Sequence, residues 1–460
     1  MNNTINEEIF RAYDIRGTYP TTVNEQVAFT IGKSYGSYVQ EKYNKDTCIV
    51  SHDNRLSSES LTQNLIKGLV SSGINIISLG YTTTPMNYYA RYLNQMPGIM
   101  VTASHNPKDD NGFKVSFDGV INARGEMIDD FKNYTLAGNF KNGQGKITNT
   151  NITDKYLEYL KYSLKFGKNK RKVVIDPGNG ATTHIIRKVF DNVFCNPIYI
   201  NDVSDGSFPN HHPDPAVAEN LVQLQKAVKE SRADFGIAYD GDGDRIGVVM
   251  ENGEILQIEY LMLLYIQDMI NNVPNKTFLY DIKCSKAMED MITKWGGKSI
   301  CYRTGASYTQ FKIQQDDLPF GGEYSGHLYF RDRDADCGSA IYVSLRLLEI
   351  LSKTNEKLSK LIKDFPKYYS TPEIKIPSDD SIKFNVVEQI KKYAKDQNYP
   401  INDIDGVRIT YTNGWVLVRA SNTGPNITFR AEATSEEGII SLQNIYLPLI
   451  EKFNKKIDTL

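Results

Sequence analysis

Three successive stretches of this chain alternate strand-like and helix-like patterns, and each ends on a short polar loop. The loops read TASHNP at residues 102–107, DGDGDR at 240–245 and GGEYSGH at 321–327. Strand, helix and strand in that order point to mainly parallel sheets, which place their chemistry beyond the carboxyl ends of the strands. The three stretches share a grammar, not a residue-by-residue repeat.

Residues 47–51 and 74–79 read as strands, and 57–71 and 85–93 as helices. Residues 141–152, KNGQGKITNTNI, are polar and turn-rich and read as a linker. In the second stretch VVID at 173–176 runs into PGNG, followed by a helix, a strand near 197–201 and a helix over 217–231. IGVVM then resumes as a strand after the acidic loop. The third opens with a strand at 278–282. Residues 366–377 carry three prolines and read as a link to a last domain, where WVLVRAS and NITFRAEA alternate like antiparallel strands. A length of 460 residues, at about 150 per domain, fits three or four domains. The expected division is 1–150, 151–255, 256–367 and 368–460.

Charge and cysteine content narrow the function. Lys plus Arg total 53 against 55 Asp plus Glu, so no global field draws the chain to nucleic acid or to a membrane surface. An anionic ligand must be met by local clusters. Five scattered cysteines without a CxxC pair argue against a disulfide framework or a zinc site. The N-terminus has no signal-peptide pattern, and the longest strongly apolar segment, 261–266, falls far short of the ~20 residues of a membrane span. A soluble, cytoplasmic protein is expected.

The loop at 102–107 displays Ser104 beside His105 at a strand end, with Lys114 ten residues on. A hydroxyl next to a base is a candidate nucleophile, and a solvated Ser-His turn is the plainer reading. In DGDGDR, Asp240, Asp242 and Asp244 alternate with glycines, so three carboxylates converge and need a cation among them. An EF-hand is a rival, with Glu251 at the twelfth position. Arg245, however, stands where that loop needs glycine, and both flanks read as strands. All-oxygen ligands suit magnesium. An exposed acidic hairpin without metal is the plain alternative.

TASHNP, DGDGDR, GGEYSGH and RASNT, in this order across nearly the whole chain, resemble the motifs of the α-D-phosphohexomutases, most closely the phosphomannomutase/phosphoglucomutase group. The resemblance implies an α/β fold of four domains around a central cleft: three related α/β/α domains with mixed sheets and a smaller C-terminal α+β domain. It implies a phosphorylated Ser104, with Asp240, Asp242 and Asp244 holding Mg²⁺ against it. Glu323 and Ser325 would hold sugar hydroxyls, and Arg419, Ser421, Asn422 and Thr423 the non-reacting phosphate. Tyr13, in FRAYDIRG, would also meet the substrate. Arg419 with two hydroxyls is a sound phosphate anchor on physical grounds, although alone it would read as a surface arginine. Arg16, Lys114, Arg245 and Lys283 are candidates to neutralise a transferring phosphoryl group. Lys114 or His105 could move the proton of the attacking hydroxyl, and His327 could do so or support its loop.

Relatives often carry histidine in the loop that here reads TGASY, where this chain has Ala306, and Gly424 replaces a larger residue. Tyr324 stands where glucosamine mutases of the family have glutamine, which disfavours that sugar. The expected reaction moves phosphate between O1 and O6 of mannose or glucose phosphates, through hexose 1,6-bisphosphate as intermediate and activator. A phosphoglucosamine mutase, a metal-dependent phosphatase and a catalytically silent sugar-phosphate sensor are the alternatives. Oligomeric state stays open, with a monomer favoured.

Overall fold

Each of the first three sheets follows one plan in this computed structural model, which describes residues 5–333, 337–421 and 424–455. The plan is clearest in the first. Its parallel strands Thr47–His52, Asn75–Tyr81 and Gly98–Val101 lie with the first between the other two, and Asp110–Ser116 returns antiparallel beside Gly98–Val101. The second sheet repeats this with Arg171–Asp176, Cys195–Tyr199, Phe235–Tyr239 and the return strand Ile246–Met250. The third does so with Thr277–Asp281, Lys298–Tyr302, Phe320–Gly322 and Leu328–Phe330. In all three, the polar loop singled out in the sequence is the turn from the third parallel strand into its antiparallel return. The inner strands are apolar and buried on both faces, as sheets covered by helices require, and the outer parallel strand of each sheet is largely half-buried.

The fourth sheet is antiparallel throughout, built on Val407–Tyr411, Gly414–Ala420 and Asn426–Ala433. Helices Lys383–Asp396 and Glu436–Phe453 cover one face, where Val416, Val418, Ile427 and Phe429 pack. Trp415 and Leu417 point the other way, onto Ile282 of the third unit. Both faces of Gly414–Ala420 are therefore buried, and its alternation separates two apolar neighbours instead of core from water.

Both stretches read as linkers belong to sheets. Within residues 141–152, Ile147–Asn149 pairs parallel with Asn75–Tyr81 as an edge strand, because its backbone satisfies the open side of the first sheet. Within 366–377, Tyr369–Ser370 and Ile374–Pro377 pair with Asn426–Ala433, the proline falling at the strand end. The helix expected after PGNG is two short pieces, Ala181–His184 and Ile186–Phe190.

One apolar core joins the second and third units and takes in one face of the first, whose other apolar residues, among them Ile31, Leu65, Val101 and Phe131, form a core of their own. The shared core joins Ile49 and Met86 of the first to Val173, Ile237 and Val248 of the second and to Phe278, Phe320 and Leu348 of the third. The fourth unit has its own core. Among the described residues no helix is long and apolar enough to cross a membrane.

Candidate active site

Ser104 has a backbone φ of 52°, in the left-handed region that residues other than glycine rarely adopt. Its amide donates to Thr102 Oγ1 at 2.9 Å, and its hydroxyl donates to Asp240 Oδ2 at 2.7 Å. His105 Nδ1 lies 3.4 Å from the same hydroxyl. Burial, with Arg245 and Arg16 nearby, holds this imidazole well below the usual histidine range, so the ring is neutral.

The acidic loop folds around its first carboxylate. Asp240 Oδ1 accepts the amides of Gly243, Asp244 and Arg245, each at 3.0 Å. Both glycines are needed: a Cβ on Gly241 would lie 2.5 Å from the Ser104 carbonyl, and Gly243 has φ 83° with Thr182 2.6 Å from where a Cβ would sit. The serine and acidic loops can touch only because one side is bare.

Asp240, Asp242 and Asp244 bring one oxygen each to within 4.8 Å of one another, all buried. Lys114 Nζ sits between two of them, 2.7 Å from Asp242 Oδ2 and 2.6 Å from Asp244 Oδ2. Burial and the neighbouring Asp244 and Asp242 carboxylates push Asp240 well above the carboxylate range. Burial would raise Asp242 too, but the charge and hydrogen bond of Lys114 and the hydroxyl of Thr84 pull it below. The same pairing outweighs burial at Lys114 and raises its ammonium well above the ordinary lysine value. Asp242 Oδ1 and Asp244 Oδ1 remain buried without a hydrogen-bond partner among the described residues. Three converging carboxylates, two of them with an orphaned oxygen, suit a divalent, oxygen-seeking cation. The EF-hand reading fails on geometry: strands flank the loop, and Glu251 turns away to bind Ser359. Burial removes the exposed-hairpin reading.

Arg245 Nε donates to His327 Nε2 at 3.0 Å, and His327 Nδ1 lies 3.1 Å from the Asp244 carbonyl. Burial takes this imidazole down to about 3, which leaves it neutral, so its 3.4 Å approach to Asp244 Oδ1 is a contact and not an ion pair. With both nitrogens engaged, His327 supports its neighbours. Arg16 donates to Asn106 Oδ1 at 2.8 Å and pairs with Asp14 at 2.7 Å.

On the side of the loop at 321–327, Glu323 Oε1 accepts the amide of Gly305 at 2.5 Å and the hydroxyl of Thr309 at 2.9 Å, and Ser325 Oγ lies 3.4 Å from Oε2. Burial, then the charge of Asp281, raises the Glu323 carboxyl to about 7. The Tyr324 ring lies against the Arg430 guanidinium, 3.8 Å away, with the Lys283 ammonium at 5.6 Å. Lys283 pairs with Glu373 across the third and fourth units at 3.4 Å. Arg419 donates to both oxygens of Asp405, at 3.1 and 3.3 Å. Asn422 and Thr423 lie outside the described residues.

Tyr13, Arg16, Ser104, His105, Lys114, Arg245, Lys283, Glu323, Ser325, His327, Arg419 and Ser421 all face one cavity of about 860 Å³, with walls from all four units. The three aspartates lie one side chain deeper, behind Ser104 and Lys114. Ala306 also lines the cavity. Sequence reasoning missed Asp53, Arg55, Thr84, Thr102, Glu373 and Asp405. The only signal for the first two was an Asp-x-Arg directly after a strand.

Four descriptions of one family match the chain in sequence. "Phosphoglucomutase/phosphomannomutase, alpha/beta/alpha" domains I, II and III match residues 7–142, 154–253 and 257–369, and the C-terminal domain of that family matches 373–444. The chain is 38% identical to a phosphomannomutase/phosphoglucomutase of Pseudomonas syringae over 98% of its own length and 97% of the relative's. It is 34% identical to a phosphoglucomutase of Neisseria gonorrhoeae over 97% of its length and 98% of the relative's. A crystal structure of a phosphoglucomutase/phosphomannomutase family protein from Burkholderia thailandensis superposes with a TM-score of 0.89 at 32% identity. That match covers 97% of this chain and 98% of the other.

Proposed function

The chain belongs to the phosphoglucomutase/phosphomannomutase family and is a phosphohexomutase, and we propose that it works through a phosphoserine at Ser104. The observation that carries this reading is the 2.7 Å contact between Ser104 Oγ and Asp240, at the floor of a cavity that all four units line.

Phosphoserine hands its phosphoryl group to the free O1 or O6 hydroxyl of a hexose phosphate. The Oγ–P bond breaks as the sugar O–P bond forms, and the hydroxyl proton ends on the serine oxygen, with the neutral His105 imidazole 3.4 Å away as relay. The hexose 1,6-bisphosphate turns over within the cavity and returns its other phosphate to Ser104. Asp240, Asp242, Asp244 and the phosphorylated serine would hold Mg²⁺, which when bound offsets charge on the transferring oxygens. Lys114, Arg16 and Arg245 line the cavity with Ser104 and would neutralise the same oxygens. Lys114 is assigned charge neutralisation and not base chemistry, since two carboxylates keep it protonated. Glu323 and Ser325 take sugar hydroxyls. Arg419 and Ser421, with Asn422 and Thr423, take the second phosphate. The enclosed cavity keeps water from the phosphoenzyme.

The substrates assigned are mannose and glucose phosphates. The test is to load the protein with glucose 1,6-bisphosphate, look for one added phosphate by intact mass, and follow conversion of glucose 1-phosphate and mannose 1-phosphate. Release of inorganic phosphate at the rate of sugar turnover would make it a phosphatase instead.

A further inference from the structure

The loop that carries Ser104 hangs by its carbonyls from one buried cation. Arg55 follows the strand Thr47–His52 and is 2% exposed. Its Nη2 donates to the carbonyls of Ser104 and Asn106, both at 2.7 Å, and its Nη1 to those of Pro107 at 2.6 Å and Asp110 at 3.1 Å. Carbonyls converging on one point repel unless donors answer each of them. A guanidinium presents a planar fork that can do so, and a lysine ammonium, with three donors on a single atom, cannot match four acceptors.

Arg55 also reaches the amide side of Ser104. Its Nε lies 3.4 Å from Asp53 Oδ2, which accepts the Thr102 hydroxyl at 2.7 Å, and Thr102 Oγ1 accepts the Ser104 amide at 2.9 Å. The Asp53–Arg55 pair thus grips both the carbonyl and the amide of a residue in an unfavoured left-handed conformation. The guanidinium does not line the cavity. The Phe208 ring, 5.3 Å from its central carbon, and Gly206, where a Cβ would come 2.9 Å from the Arg55 Cα, close over it from the second unit. Its Nη donors are spent on backbone and its Nε is buried against Asp53, so a sugar phosphate reaches none of them.

We propose that Arg55 is a positioning residue for phosphoryl transfer, acting through the Ser104 backbone to aim its hydroxyl at Asp240. The inference rests on Ser104 being the phosphoryl carrier. Without the fork, the loop relaxes toward ordinary φ and the hydroxyl leaves its line, while the distant groups that bind the sugar and its second phosphate are untouched. The chemical step should therefore suffer and substrate affinity should not.

The experiment uses the full chain with Arg55→Lys, which keeps the charge and removes the fork. Single-turnover loading from glucose 1,6-bisphosphate, read by intact mass, and kcat for glucose 1-phosphate should both fall roughly 10²-fold, the scale of a small misplacement of a reacting group. KM should move by less than about threefold. In Arg55→Ala, millimolar methylguanidinium should restore a measurable part of kcat and methylammonium should not. Undiminished kcat in Arg55→Lys overturns the proposal. So does a Lys variant without a cooperative melt, because Arg55 would then serve the fold and not the serine, and so does a folded Arg55→Ala that methylguanidinium leaves unchanged. Ser104→Ala separates the two readings: if it still loads phosphate the phosphoserine assignment fails, whereas a dead Ser104→Ala beside a fully active Arg55→Lys sinks the positioning role alone.

Discussion

The Ser104 hydroxyl and the Asp240 carboxylate meet at 2.7 Å although 136 positions separate them in the chain. The meeting is possible because two sheets of the same plan present their turn loops to each other, and because Gly241 leaves room for the Ser104 carbonyl. Ser104→Ala is therefore expected to abolish phosphate incorporation and to lower kcat by at least ~10³-fold, as deleting a nucleophile does. Intact-mass analysis of both proteins decides it. An alanine variant that loads phosphate normally would remove the serine from the reaction.

Asp242→Asn takes one charge from the buried triad while keeping its shape. It should weaken Mg²⁺ by at least roughly 10-fold, a loss that even an outer partner of a metal ligand can cause. Turnover should fall with it, and the melting temperature should stay close to that of the parent. Titrating Mg²⁺ into chelator-treated protein by calorimetry measures the first effect without reference to activity. Equal affinity in the two proteins would mean that the loop does not hold the ion.

The Glu323 carboxyl, raised to about 7, gives a pH test with a definite sign. As an acceptor of sugar hydroxyls it works ionised, so kcat/KM should rise with pH through about 7, and Glu323→Gln should lose that rise. Stability should move the other way. The folded pKa lies above the ordinary glutamate value of 4.5, so between the two values the native state keeps a proton that the unfolded chain has lost. This group's contribution to stability falls as pH climbs through that window and levels off above it. Chemical denaturation at several pH values, with Glu323→Gln as control, measures the slope.

Glucose and mannose phosphates differ in the orientation of O2, and a Glu323–Ser325 loop that grips O3 and O4 accepts either, so both sugars should turn over. Glu323→Ala should impair both together with little change in their ratio, because it leaves the same groups unpaired in each case. Tyr324, packed against the Arg430 guanidinium, offers no evident partner for a 2-amino group. Comparing kcat/KM for glucose, mannose and glucosamine 1-phosphates checks this. A preference for the amino sugar would overturn the assignment of the loop.

Much of this could be read from the sequence where chemistry and local pattern coincide. The three polar loops announced themselves because each interrupts an apolar strand with residues that only a turn or a ligand would favour. The order of the strands within a sheet could not be read, since Thr47–His52 lies between its two parallel neighbours through long-range packing alone. Edge strands such as Ile147–Asn149 were hidden because a polar segment gains its structure from a neighbour's open backbone groups. The partners of the site residues were the least legible. Asp405, Asp53 and Arg55 are ordinary turn residues in one dimension, and their roles exist only once Arg419 and the Ser104 carbonyl are brought beside them.

The apolar core shared by the first three units has a thermodynamic consequence. Side chains such as Ile49, Val173 and Phe278 lose their packing together, so those units should unfold in one cooperative step despite having separate sheets and, in the first, a second core on the other side of its sheet. The fourth unit, with its own core and a small apolar seam through Trp415, should be able to come apart from them at lower cost. Amide exchange would then reveal a protected block of three sheets carrying a more labile fourth, with Arg419, the proposed anchor of the second phosphate, on the labile side.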